Sequence, residues 1–292
     1  MARPTVSAIV LTQNEENHVA ECLARLTWCD ERIVVDLHSQ DRTRERAEPL
    51  ATKILLHAPI PNFPRARNIG IDAAVSDWIF VVDVDEIVPD KLVRRLLEHL
   101  ENADDTVGFW IPRMNYCFGR PVPHVGGFPD YQLRCFRRGA GHYPGDMHRG
   151  PQFEGRTVFL PIEEGAWFLH QRKNASIGDL VRKWDRYAEV EARDSLNEGR
   201  RFPGPIAMLW AGISTFRARF ITMAGYKDGV AGLVMSVMFG FYRFEVEAKL
   251  WEASGAEARW DPQVRRLSSL TRLLWALAGE ARRRLWNAVR RR

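Results

Sequence analysis

The sequence predicts an α/β fold with a parallel-centred sheet, followed by a helical C-terminal extension. Three observations predict it. Short apolar runs alternate with segments of helical spacing through about the first hundred residues. Several of those runs end in a polar cluster, the place where open sheets of this kind bind ligands. From about Phe202 onward the chain becomes helical, aromatic and rich in arginine.

Val6–Leu11 (VSAIVL) is a β-branched run and predicts a buried strand. Glu15–Leu26 sets Val19, Cys22, Leu23 and Leu26 at helical spacing. Arg32–Asp36 (RIVVD) predicts a second buried strand that ends in a carboxylate. Thr43–Leu50 has a helical pattern, Lys53–Leu56 predicts a short strand and Ala66–Ala74 a helix. Trp78–Val82 (WIFVV) predicts a strand running into Asp83-Val84-Asp85-Glu86, and Pro89 suits the first turn of a helix through Leu100. Between Val107 and Phe168 short strands, glycines, prolines and aromatics predict a mixed sheet with long loops on an acceptor side. Ile177–Asn197 carries Leu180, Trp184, Tyr187 and Ala188 on one helical face.

The resulting division is a catalytic domain over 1–200, with halves 1–105 and 106–200, and an extension over 201–292. At 292 residues, 46% hydrophobic and 27% charged, the chain has the composition of an ordinary folded protein. Its four cysteines are scattered, which argues against a zinc knuckle or redox pair and suits a reducing compartment. Met1–Thr5 runs directly into the first strand, so no signal peptide is expected.

Four polar clusters can carry chemistry. Asp83-Val84-Asp85 at a strand end can hold a hard divalent cation and leave positions open for diphosphate oxygens; the same acids also suit a turn capping the next helix. Asp36, leaving a buried strand, can accept hydrogen bonds from a nucleobase or ribose, while Ser39, Asp41 and Thr43 read as turn and capping residues. Thr12-Gln13-Asn14-Glu15 places amide and carboxylate groups beside them, or forms an ordinary helix start. Arg65-Ala66-Arg67-Asn68 opens a helix and is suited to phosphate or base contact, or is a solvated basic turn.

At these residues the chain resembles the inverting family 2 glycosyltransferases, in the bacterial branch that builds lipopolysaccharide core and related surface glycans. The resemblance rests on VSAIVLTQNEE, IVVDLHSQDRT, ARNIGIDAAVSDWIFVVDVDE, DYQLRCFRRG and YKDGVAGLVMSVMFGFYRFEVEAKLWE. It implies the GT-A fold, a Rossmann-like nucleotide-diphospho-sugar transferase domain. It implies that Thr12, Glu15 and Asp36, with Asn14 beside them, contact the nucleoside, uridine or an equivalent. Asp83 would lie near the nucleotide and ribose, and Asp85 with Asp83 would coordinate Mn²⁺ or Mg²⁺. Arg67, Asn68 and Arg134 complete the expected donor-binding set. Leu37 and His38 stand where small residues are usual in the family, and Gln40 where Ser or Thr is common.

An inverting transfer needs a base for the acceptor hydroxyl. Asp130, in a glycine-rich loop ahead of a predicted strand, is the first candidate; Asp146 and His148 follow. Arg134, Arg137 and Arg138 are candidates to clamp the diphosphate. His170, alone after an apolar run, reads more readily as structural.

The net charge of +5 is concentrated at the C-terminus, where nine arginines from Arg265 onward face one acid, Glu280. Apolar residues at helical spacing with Trp260, Trp275 and Trp286 predict a basic amphipathic helix on anionic lipid, consistent with a lipid-linked acceptor and a peripheral position on the cytoplasmic face of the membrane. The same stripe can pack on the domain or pair subunits into a homo-oligomer. No signature of nucleic-acid binding accompanies it. A metal-dependent nucleotidyltransferase or phosphohydrolase is the rival enzyme class, but a nucleotidyltransferase usually carries a glycine-rich basic loop where Thr12–Glu16 is acidic. A non-enzymatic membrane scaffold gives no reason for polar clusters at successive strand ends.

Overall fold

The computed structural model describes residues 3–59, 63–143, 152–170 and 176–255. Asp146, His148 and the arginine-rich tail lie outside the described residues. The chain divides into two compact units, Met1–Ser176 with Lys227–Ala231, and Ile177–Tyr226 with Gly232–Arg292.

The first unit is built on a seven-stranded mixed sheet. Strands β1 (Val6–Thr12), β2 (Glu31–Asp36), β3 (Lys53–Leu56) and β4 (Trp78–Asp83) lie parallel in the order β4-β1-β2-β3. They are joined through helices α1 (Val19–Ala24), α2 (Thr43–Ala47) and α3 (Phe63–Asp72), as parallel pairing requires crossovers. After β4 come α4 (Asp90–Glu101), β5 (Thr106–Ile111), β6 (Arg113–Cys117), β7 (Arg120–Pro121) and β8 (Gln132–Arg137). Strand β8 inserts antiparallel between β4 and β5, which ends the parallel half of the sheet. Strands β9 (Gly141–His142) and β10 (Gln152–Phe153) form a short ribbon. Strand β11 (Arg156–Phe159) closes the sheet edge beside β5, and β12 (Phe168–His170) pairs with β6 in a three-stranded sheet with β7.

Strand β4 is central because it is apolar on both faces. Trp78, Ile79, Phe80, Val81 and Val82 are all buried, each contributing about 1.5–3 kcal/mol of transfer free energy at full burial. On one face Phe80 lies between Trp28 and Phe168, with ring centroids 5.4 and 5.7 Å away. On the other, Ile79 and Val81 join Ile9, Ile33, Val35 and Ala66 of α3. This burial fixes the register, because a slip by one residue would turn every side chain to the opposite face. In that register Thr12 pairs with Asp36 and Leu11 with Asp83, so three polar strand ends lie side by side.

Two local expectations are corrected. Helix α1 starts at Val19 rather than Glu15, because Asn14 has φ +58° and the Glu15 and Glu16 N–H groups donate to the side chains of Thr43 and Asp41. Pro89 precedes α4 in an extended conformation (φ −71°, ψ 149°) instead of entering its first turn.

The second unit contains α5 (Ile177–Asn197), α6 (Pro205–Arg217) and α7, which runs Gly229–Ala253 and whose first three residues belong to the first unit. A π-helical turn, Ala218–Thr222, and a 3₁₀ turn, Gly225–Asp228, join α6 to α7. Trp184 of α5 packs at a tilt against Phe239 and edge-on against Tyr242 of α7, and Glu191 accepts hydrogen bonds from Tyr242 and Arg243. Lys249 pairs with Asp185 at 2.7 Å.

Candidate active site

The carboxyl ends of β1, β2 and β4 form one polar crevice. Asp36 is fully buried there and accepts hydrogen bonds from Thr12 Oγ1 at 3.1 Å and from the Ser39 amide at 3.1 Å and hydroxyl at 2.5 Å. Asn14 stitches the first loop to the second: its N–H donates to Ser39 Oγ, and its Oδ1 accepts from the Gln40 N–H at 2.8 Å. Glu15 Oε2 lies 2.9 Å from His18 Nδ1. Asn14 (φ +58°) and His38 (φ +60°) both sit in left-handed backbone, a conformation that costs free energy outside glycine and gathers at ligand sites.

Beside this lies a network of ions around Asp83. Arg67 from α3 donates to Asp83 Oδ1 at 2.5 Å, and Arg134 from β8 reaches both Asp83 oxygens. Arg134 also donates to Glu86 Oε1 at 3.1 Å, which accepts a second bond from Arg113 Nη1 at 3.0 Å. Glu86 Oε2 in turn accepts from the Asp83 N–H, closing the turn after β4. Burial opposes ionisation of Asp83, but the Arg134 and Arg67 guanidiniums outweigh it and hold the carboxyl well below the usual carboxylate range. Burial also opposes charge on Arg134, and Asp83 and Glu86 overcome it, keeping the guanidinium protonated. The Nε atoms of Arg67 and Arg134 are buried with no hydrogen-bond partner. Such donors are costly unless something accepts from them.

A second branch runs from Glu86 through Arg113 to Asp130. Asp130 Oδ2 accepts from Arg113 Nη2 at 2.6 Å, Arg113 Nε at 3.0 Å and Asn115 Nδ2 at 2.9 Å; Oδ1 accepts from Gln132. Burial would raise its pKa, but Arg113 and these hydrogen bonds hold it below the usual range. His170, at the end of β12, has Nδ1 at 3.3 Å from Asn115 Oδ1 and Nε2 at 2.9 Å from Asp85 Oδ2.

The structure thus brings together Thr12, Asn14 and Asp36, and separately Arg67, Asp83, Arg134 and Asp130, with Asp85 joined to them through His170. The Asn68 side chain donates from Nδ2 to the Tyr143 carbonyl and accepts at Oδ1 from the Tyr143 N–H, and the Arg67 guanidinium lies over that tyrosine ring at 5.1 Å. Arg137 and Arg138 are corrected: Arg137 pairs opposite Trp78 at the start of β4 and donates to Thr106 and Asp104 carbonyls, and Arg138 donates to Ser76. Antiparallel β8 carries them to the opposite end of the sheet from Arg134. Missed by the sequence reading are Arg113, Asn115 and the connection of His170. An Arg-x-Asn alternation ending beside a lone histidine was the available signal, but only pairing of β12 with β6 aligns it.

Donor chemistry fits a divalent cation at Asp85 and His170, a carboxylate and an imidazole whose polar atoms already meet. Among the described residues no group of three or more His, Cys, Asp or Glu side chains is gathered, so a cation there would draw its remaining oxygens from ligand and water.

A model of glycosyl transferase family 2 matches residues 7–150. The chain is 24% identical to a lipopolysaccharide core biosynthesis glycosyltransferase of Rhizobium meliloti over 261 residues, 87% of this chain and 94% of the relative. It is 26% identical to an uncharacterized glycosyltransferase of Rickettsia conorii, over 85% and 90% of the two chains. Among solved structures it is similar to a mannosyltransferase of Pyrobaculum calidifontis determined with GDP-Man and Mn²⁺, at 18% identity and a TM-score of 0.44, covering 94% of this chain and 81% of that one. With its mixed Rossmann-like sheet and the matched residues 7–150, the first unit carries a glycosyl transferase family 2 domain.

Proposed function

We propose that this glycosyltransferase inverts the anomeric centre as it moves a hexose-type sugar from a nucleotide-diphosphate sugar, a UDP-sugar by preference, to a lipid-linked glycan such as lipopolysaccharide core. The observation that carries the reading is the pair of guanidiniums, Arg67 and Arg134, whose buried, unpartnered Nε–H groups border a crevice at three strand ends. Diphosphate oxygens are the acceptors such donors suit. Similarity to the Rhizobium meliloti relative supports the acceptor class.

In this reading Asp36 and the Thr12–Glu15 loop hold the nucleoside, and Asp83 is the anchor that orients Arg67 and Arg134. Asp85 and His170 are the residues that would hold Mn²⁺ or Mg²⁺, which when bound supplies charge neutralisation for the leaving diphosphate. The acceptor oxygen attacks the anomeric carbon as the bond from that carbon to the diphosphate oxygen breaks. Asp130 takes the hydroxyl proton; Arg113, Asn115 and Gln132 keep it ionised and therefore able to do so at neutral pH. Asp146 and His148 are alternative bases. Residues 1–105 serve as the donor half, 106–200 as the acceptor half and 201–292 as the extension. The basic tail docks the enzyme on anionic lipid at the cytoplasmic face, which confines the search for a lipid-linked acceptor to two dimensions.

The test is heat protection of the purified protein by UDP-, GDP- and dTDP-sugars, each with and without Mn²⁺. A metal-dependent shift for one nucleotide class is expected by ligand linkage. No shift with any donor overturns the proposal.

A further inference from the structure

Helix α6 has no buried residue, although its sequence PIAMLWAGISTFR carries no charge before Arg217. Ile206, Leu209, Trp210 and Ile213 recur at helical spacing and are 38–56% exposed. On α7, Leu233, Val237 and Phe241 repeat every four residues and are 43–51% exposed, while Met235, Ser236 and Val246 on other faces are buried. The two helices pack closely at glycine: a Cβ on Gly212 would lie 3.0 Å from the Gly240 carbonyl oxygen, and one on Gly240 2.8 Å from that of Gly212. Small residues permit this backbone approach, and it turns the bulky side chains away from the crossing.

We propose that α6 and the first half of α7 form a hairpin embedded in one leaflet of a lipid bilayer. The inference rests on the membrane reading above and assigns a hydrophobic element separate from the basic tail. Three observations select lipid. Water-facing helices expose polar faces, whereas these present large apolar ones. The exposed Arg201 precedes α6 and the exposed Arg217 ends it, so the apolar stretch of α6 is bracketed by charge that matches anionic headgroups. Trp210, in the exposed stripe, is a side chain favoured at the bilayer interface.

Helix lengths make the hairpin monotopic. Among the described residues one helix, Gly225–Ala253, is long and apolar enough to cross a bilayer. Its second half, however, is fastened to polar partners: Arg243 to Glu191, Glu247 to Arg200 and Lys249 to Asp185. The charge-free parts, Pro205–Phe216 and Gly229–Tyr242, extend about 18 and 21 Å at helical rise. Each falls short of a hydrocarbon core of about 30 Å.

All four native cysteines are buried, so a thiol placed on the surface can be labelled selectively. Full-length Leu209→Cys, bearing an environment-sensitive nitrobenzoxadiazole, is mixed with phosphatidylethanolamine–phosphatidylglycerol vesicles, with Glu198→Cys, in the exposed turn after α5, as the control. A blue shift at position 209 and quenching by acyl chains carrying bromine, with neither at 198, are expected. The Leu209→Glu/Ile213→Glu protein, changed only at exposed positions, should partition into those vesicles about tenfold less. Pelleting with vesicles while the 209 label stays unchanged would overturn the hairpin and leave docking by the tail intact. A blue shift without lipid that grows with protein concentration would show that a second copy covers this face. No pelleting at all would overturn both readings.

Discussion

Arg134 grips both carboxylate oxygens of Asp83 from the neighbouring antiparallel strand, and its Nε–H is buried without an acceptor. One guanidinium therefore holds the end of β4 in place while keeping a donor in reserve. Replacing it leaves Glu86 fully buried and Asp83 three-quarters buried beside one fewer cation. Arg134→Met should lower unfolding free energy by about 3 kcal/mol, as loss of one partner from a buried pair does. Denaturant titration checks this; a loss under about 1 kcal/mol would mean that Arg67 and Arg113 suffice.

Arg67→Lys separates donor binding from folding. Lysine keeps the positive charge near Asp83 but has no planar fork to share between carboxylate and diphosphate. Nucleotide-sugar affinity should fall about tenfold, a cost of about 1.4 kcal/mol, with little change in the Tm of the ligand-free protein. Calorimetric titration decides it, and an unchanged Kd would place the diphosphate elsewhere.

His170→Ala and Asp85→Ala should each abolish most of the extra heat protection that Mn²⁺ adds to the nucleotide sugar, while protection by the metal-free nucleotide persists. Retention of the full metal effect in both variants would remove Asp85 and His170 from the metal proposal.

The depressed pKa of Asp130 sets a pH dependence with a defined sign. Its carboxylate is stabilised in the folded protein, so that contribution is complete above the unfolded value of about 3.9 and is lost as pH falls through the lower folded value. Wild type should exceed Asp130→Asn in stability at pH 7, and the gap should close progressively below about pH 4. In its proposed role as base, Asp130 should also keep kcat from falling until the pH is below the ordinary carboxylate range. Transfer by Asp130→Asn at the parental rate would reassign the base.

Removal of residues after Arg259 should eliminate the salt-sensitive share of binding to anionic vesicles and leave donor hydrolysis measurable. Sedimentation at low and high salt reads this directly. Equal salt sensitivity of the truncated and full-length proteins would show that the tail does not touch the headgroups.

Sequence by itself determined the strand ends. Runs such as RIVVD and WIFVVD are apolar on both faces, so they belong inside a covered sheet, and the first polar residue after each must emerge at its edge. Periodicity carries that information locally, which is why Asp36 and Asp83 were legible before any fold was known. Tertiary structure alone decided who partners whom. Nothing local links Arg134 to Asp83, Arg113 to Asp130 or His170 to Asp85, because each pair meets across strands whose order follows from packing. The direction of β8 likewise sent Arg134 to the crevice and Arg137 to the far end of the sheet. In the second unit, the sequence leaves Pro205–Phe216 and Gly229–Tyr242 without charge, but only helix packing decided that their large side chains remain uncovered. Side-chain chemistry is written along the chain, whereas its pairing depends on contacts between residues far apart in sequence.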